Sequence, residues 1–321
     1  VHIRMVTPNP ARTQATLTLA ADRQMAVDVE LVSVDGSVTQ LQQGVTVNGD
    51  LSAVGWVDVL SADDLTMQGI DAGLGITLES VNGDVTALEG IQTAGQVALY
   101  AGGGVAVEGI ESGADIVVAA GSGDVKTGGS LTATGRIDVT AGGSGDIMMD
   151  GDSSFTAVSG DVFLSADDVG LGGVDAARAV VVVARGDITD TSNAAGTVNA
   201  GGKGVTLLAT GAIGARGKSV DVFTKERTKL VAVSGGDAFL SADSASMRIS
   251  QVSAAGDAVL SSAYSLIDDR ATRAQAVDAV NIELVAGGDI TLDAVNNITL
   301  KNRVEAGVDS RNDISLYSAQ G

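Results

Sequence analysis

The chain has 321 residues, 45% of them apolar but only 2% aromatic, so any core it builds consists of thin layers of small aliphatic side chains. Its formal net charge of −21 excludes the basic patches that nucleic acid requires and disfavours an anionic membrane surface. Without cysteine there are no disulfides, thiolate metal sites or Cys-His catalysis, and with His2 the sole histidine a Ser-His-Asp site is not expected.

Residues 1–45 are the least regular part and hold both prolines, Pro8 and Pro10. Ala15–Ala20 and Val27–Val32 alternate apolar and polar residues and predict strands. Trp56, the only tryptophan, is read as a packing or edge-covering residue. From there a rhythm sets in. Strand-like runs begin at Val57, Ile76, Val97, Ile116 and Ile137, about 20 residues apart. A second marker, Gly69-Ile70, Gly90-Ile91 and Gly109-Ile110, keeps the same step. Between successive runs lies another short strand after a Gly-rich turn, as at Asp84–Ala87, Val105–Val107 and Asp124–Lys126. No segment carries an i, i+3, i+4 stripe, so helical repeats do not fit. Two or three short strands per roughly 20 residues describe one coil of a parallel β-helix.

The clearest repeat is Ala157-Val-Ser-Gly-Asp-Val-Phe-Leu-Ser-Ala-Asp167, which returns at 232–243 with one extra Gly. Its alternation turns Val162, Leu164 and Ala166 inward and Phe163 and Ser165 outward. Its tail, Leu-Ser-Ala-Asp, stands also at 60–63. After residue 140 the step loosens, with strand starts read at Val162, Val180, Val205, Val220, Ala238, Ala258 and Ile282. The last repeats begin at Ile290, Ile298 and Ile314, and Ile298 is expected on a second face of the coil that starts at 282 or 290. Lys218–Lys229 and Ile267–Ala276 break the pattern; they read first as solvated excursions with weak local ion pairs, and as departures from a repeat they are also the first places to look for a projecting contact site.

Gly-Asp occurs ten times, and a carboxylate after glycine can hold a turn by accepting backbone N–H groups. Ten such residues in one register would form a repulsive column that recruits cations, but the varying steps argue against a single column. Gly142–Asp150 resembles a calcium-binding Gly/Asp nonapeptide only in part, with the Asp one place early, and is the sole pointer to calcium. The doublets Asp63-Asp64, Asp167-Asp168 and Asp268-Asp269 supply carboxylates for glycoside hydrolysis, but neighbours in a strand point to opposite faces. The sequence therefore assigns no catalytic, cofactor-binding or metal-ligating residue.

Repeats such as Gly288–Leu292 and Gly135–Gly143 resemble those of filamentous-haemagglutinin-like proteins and other giant bacterial repeat adhesins, over about residues 50–321. The resemblance implies a right-handed parallel β-helix (β-solenoid) on an exported stalk or filament, at the cell surface or outside the cell. The domain reading is an irregular β segment at 1–45, as first coils or a junction, followed by β-helix repeats at 46–321. The expected function is a non-catalytic structural module that stacks or continues end to end in a longer chain. No cofactor, nucleic acid or membrane insertion is expected. The alternatives are an adhesive module that meets a host or cell-surface ligand through the irregular loops, and a polysaccharide-processing β-helix enzyme.

Overall fold

Alternating apolar residues, β-branched side chains and glycine-rich breaks favour short strands, and the computed structural model is built of them throughout. It describes residues 50–268 apart from 54, 195–196 and 226–229. It also describes the strand backbone at 2–5, 25–31, 38–39, 45–48, 284–286, 290–294, 298–299, 304–306 and 314–318. Among the described residues there is no helix, and the strands of successive coils pair in parallel to form a β-solenoid with coils of about 20 residues. The chain divides into two compact units, Val1–Gly160 with Leu164–Asp167, and Asp161–Phe163 with Asp168–Gly321.

In the first unit each coil supplies two short strands, or one bent strand, to a first sheet and one longer strand to a second. Leu65–Met67, Ile70–Ala72 and Gly75–Ser80 make one such coil, and Val85–Thr93 with Gln96–Ala101 makes the next. Three inward columns follow from the register. Val57, Ile76, Val97, Ile116 and Ile137 stack in the second sheet. Leu65, Val85, Val105, Val125 and Ile147 stack in the first, as do Ile70, Ile91, Ile110, Leu131 and Phe155. All are buried, and each contributes about 1.5–3 kcal/mol relative to exposure. Both periodic markers in the sequence thus correspond to aligned positions. Toward the amino terminus, Met25–Leu31 pairs with Val45–Asn48, and Val38–Thr39 pairs with the Trp56–Ser61 strand. The expected strand near 27–32 is therefore present, while Ala15–Ala20 lies outside the described residues.

In the second unit Val180, Val205 and Leu230 align in the second sheet, and a bulge after Leu230 shifts the next coil by one residue. In the first sheet Ala238, Ala258, Ile290 and Ile314 align. Ile298 pairs with Leu266 in the second sheet, so it does occupy the second face of the coil that begins at 290.

Two expectations need correction. The strand starts read as one series after 140 belong to two faces. Val162, Val180 and Val205 lie in the second sheet, but Val220, Ala238 and Ala258 lie in the first, and Ile282 is outside the described residues. Part of the apparent loosening therefore came from stepping between faces. The twin motifs behave likewise. Val162–Ala166 takes a second-sheet position with Val162, Leu164 and Ala166 inward, whereas Ala238–Ala242 takes a first-sheet position. Phe163 is 38% exposed, but Phe239 is only 7% exposed. Gly214, at φ 69°, passes so close that an added Cβ would stand 2.4 Å from the Phe239 carbonyl oxygen. The tetrapeptide at 60–63 is also out of phase with its namesakes. There Ser61 is inward, whereas at 164–167 Leu164 and Ala166 are inward. A one-residue slip reverses every side chain in a strand, so this tetrapeptide is not a copy of the repeat.

Candidate functional site

The corner that leads from the second sheet back to the first is the most regular polar feature of the molecule. Ser80 ends its strand pointing inward, and its Oγ donates to the Asp63 carbonyl at 2.6 Å. Just beyond, an aspartate faces the next coil. Asp64 Oδ1 accepts the backbone N–H of Asp84 at 2.9 Å, and Asp84 Oδ1 accepts that of Gly104 at 2.6 Å. Asp124 does the same for Asp146 at 3.1 Å. In the second unit Asp168 accepts from Asp187, Asp187 from Ala212 and Asp237 from Asp257, at 2.6, 2.6 and 2.8 Å. Other corners use the same device, with Asp50 accepting from Gly69 and Asp161 from Ala179.

The Gly-Asp pairs therefore do hold turns through backbone N–H groups, but each bond reaches into the following coil rather than closing its own turn. The ten pairs do not fall in one column, as the uneven steps implied. At this one corner, however, Asp84 follows Asp64 and Asp146 follows Asp124 in adjacent coils about 5 Å apart, with Gly104 between the two pairs. Two of the carboxylate doublets are absorbed here, since Asp64 and Asp168 are corner acceptors; Asp269 lies outside the described residues. Asp84→Ala is expected to lower stability by about 0.5–1.5 kcal/mol, because water replaces the lost acceptor at an exposed corner. Asp84→Asn keeps the acceptor oxygen and should melt like the wild type, and comparing the two urea transitions checks the assignment.

Two ion pairs of the first unit lie at the surface. Lys126 meets Asp124 at 3.3 Å and Arg136 meets Asp115 at 3.6 Å. Trp56 is 48% exposed and its ring lies on the backbone of Gly75 in the next coil, which fits the packing role expected for it. Among the described residues no group of three or more carboxylates or histidines could hold a metal ion, Gly142–Asp150 included.

A groove of about 770 Å³ runs along the outside of the first unit, where each coil bends between its two first-sheet strands. Its floor holds Gly69, Gly90 and Gly109, the glycines of the Gly-Ile marker, and Asp50, Asp71, Glu89 and Glu111 stand around it. The Ile of each pair points inward and the Gly leaves the outer bend bare. Between residues 45 and 160 there are 16 Asp and Glu but only Lys126 and Arg136 as basic residues, so this groove is strongly anionic.

Of the segments expected to project, Lys218–Lys229 contains a strand among its described residues. Val220–Thr224 belongs to the first sheet, and before it the turn Ala215–Lys218, closed by two backbone hydrogen bonds, is exposed. Alternation within Val220-Asp-Val222 is the strand signal that the basic residues around it obscured. Residues 226–229 and 269–276 lie outside the described residues, and Leu266–Asp268 is a strand.

The site that sequence reasoning missed is Asp221, which is 4% exposed. Its backbone N–H donates to Asn199 Oδ1 at 2.7 Å, and its Oδ1 accepts the Asp243 N–H at 3.0 Å, while Oδ2 is buried with no partner. Burial, reinforced by the charges of Asp243 and Asp190, outweighs the hydrogen bonds from backbone N–H groups and pushes its pKa up to about 6. Outward phase in an alternating strand predicts exposure, and nothing local to the sequence signals that neighbouring coils would cover it. Compared with protein-family models, with curated proteins and with solved structures, the chain matches none.

Proposed function

We propose that the chain is a non-catalytic structural module of a bacterial extracellular stalk, filament or surface adhesin, in which stacked coils bear load and join end to end with further coils. What carries the reading is the recurrent corner tie. Asp64, Asp84, Asp124, Asp168, Asp187 and Asp237 each fasten their own coil to the next. These bonds run in the stacking direction, the same direction as the parallel strand ladders, so a pull along the stack loads backbone and side-chain bonds together. The repeat character of the sequence supports the same view, since each coil is completed by its neighbours.

Electron microscopy of the purified chain, with and without calcium, tests this. Particles of uniform width that join end to end are expected; joining that depends on calcium would mean that cations bridge acidic surfaces. Compact globules that never join would overturn the proposal. A second reading, an adhesive module, is favoured by the anionic groove, whose four carboxylates suit a cationic ligand on a host or cell surface. Particles that remain single in both conditions would favour this second reading.

A further inference from the structure

Most carboxylates in the corners of this fold are at least partly open to solvent, but Asp221 is enclosed between coils. Its setting is defined on each side. From the preceding coil comes Asn199, 1% exposed, whose Nδ2 donates to the Leu171 and Gly172 carbonyls and to Asp190 Oδ1. From the following coil comes the backbone N–H of Asp243. Register places Asn199 beside Asp221, because Ala200 pairs with Val222. At neighbouring places in one column, then, a neutral amide has both its oxygen and its nitrogen engaged, while a carboxylate keeps one oxygen buried and unpartnered.

Among the described residues, the charged groups that act on Asp221 are Asp190 from the preceding coil and Asp243 from the following one, both anionic. The basic residues nearest in sequence do not compensate. Lys218 is exposed in its turn, and Lys225 Nζ is held by Asp175 at 2.5 Å and by the Ala176 carbonyl at 3.0 Å. An ionised carboxylate here combines desolvation with repulsion from two like charges.

We propose that Asp221 is a proton-operated clasp between coils: with a proton taken from solvent onto Oδ2 the coils from 188 to 243 close on one another, and when that proton is lost they loosen. The neutral acid removes the unpartnered anion and provides an O–H donor like the amide of Asn199. The direction follows from linkage. The folded chain keeps this proton up to about pH 6, whereas an unfolded chain releases it near 3.8. Stability therefore falls as pH rises through about 6 and is recovered on acidification toward 4. Ordinary carboxylates finish titrating below pH 5, so a change between pH 5 and 7.5 isolates the buried group from the acidic surface.

The test is backbone amide exchange across residues 197–243 of the full chain at pH 5.0 and 7.5, corrected for intrinsic exchange, in the wild type and in Asp221→Asn. In the wild type, the opening equilibrium is expected to be roughly tenfold more favourable at pH 7.5 than at 5.0. In Asp221→Asn the difference should vanish, with the segment as protected at pH 7.5 as the wild type is at 5.0. The sole histidine, His2, is present in both chains, so any contribution from it cancels from the comparison. Equal wild-type protection at the two pH values, or a pH difference that survives in Asp221→Asn, would overturn the proposal. Should the variant fail to fold, carbon-13 titration of the wild-type Asp221 carboxyl decides alone. A midpoint near 6 supports the clasp and one near 4 refutes it.

Discussion

Leu99→Asp is expected to unfold the coils around it, at a cost of roughly 4 kcal/mol or more. Leu99 is fully buried and aligns with Leu78 in the coil before and Val118 in the coil after. The substitution removes an aliphatic layer and places a carboxylate among aliphatic neighbours that offer it no hydrogen bond. Total stability of a domain is about 5–15 kcal/mol, so a loss of this size is a large fraction of it. Coils touch only their neighbours, so the damage should be local at first and the urea transition should split into two steps. The adjacent substitution Tyr100→Thr is the control. Tyr100 is 40% exposed on the opposite side of the same strand, and its replacement should shift the transition by no more than about 0.5–1 kcal/mol. Similar transitions for the two variants would mean that the inward phase of this strand is misassigned.

The contrast between Leu99 and Tyr100 also shows what kind of information the sequence carried. Alternation identifies strands and their inward phase wherever it is unbroken, and the columns through Ile76 and Ile91 were legible for that reason. It does not say which sheet a strand joins. The twin motifs at 157–167 and 232–243 share a corner and a strand yet stand on different sheets, because both kinds of corner accept the same Ser-Gly-Asp chemistry. Phase was lost at 60–63 for a related reason: Ser61 is small enough to point inward, so a matching tetrapeptide concealed a slip of one residue. The candidate sites divide in the same way. Gly-Asp announced the turn but not the partner, which lies a whole coil away and is fixed only by stacking. The groove was half visible, since the Gly-Ile marker was apparent while the carboxylates around it are scattered from Asp50 to Glu111. Asp221 left no trace in the sequence, because its burial is produced by residues from the coils on either side.

Close stacking at the corners leads to the second large effect, on glycine. Gly95→Ala should cost at least about 3 kcal/mol, although it adds a single methyl group. A Cβ on Gly95 would lie 1.5 Å from the Leu74 carbonyl oxygen and 2.4 Å from its carbon, and both are backbone atoms of the preceding coil. Neither can swing away as a side-chain end would, and Gly95 is itself pinned by hydrogen bonds to Thr93 and Ala114. Relief therefore requires the two coils to part at that corner, breaking the ladder between them. Gly90→Ala tests the same chemistry with the opposite sign. Its Cβ would meet nothing within 4 Å, and its backbone is outside the left-handed region, so alanine fits as it stands. The lost freedom of the unfolded chain then makes this variant more stable by about 0.4–1 kcal/mol. Thermal melts of the two proteins side by side decide the matter, because a generic intolerance of substitution would lower both transitions, whereas contact between coils lowers only the first. The new methyl at Gly90 also lies at the floor of the groove without disturbing the stack, so any ligand that fills that space should feel it while the fold does not.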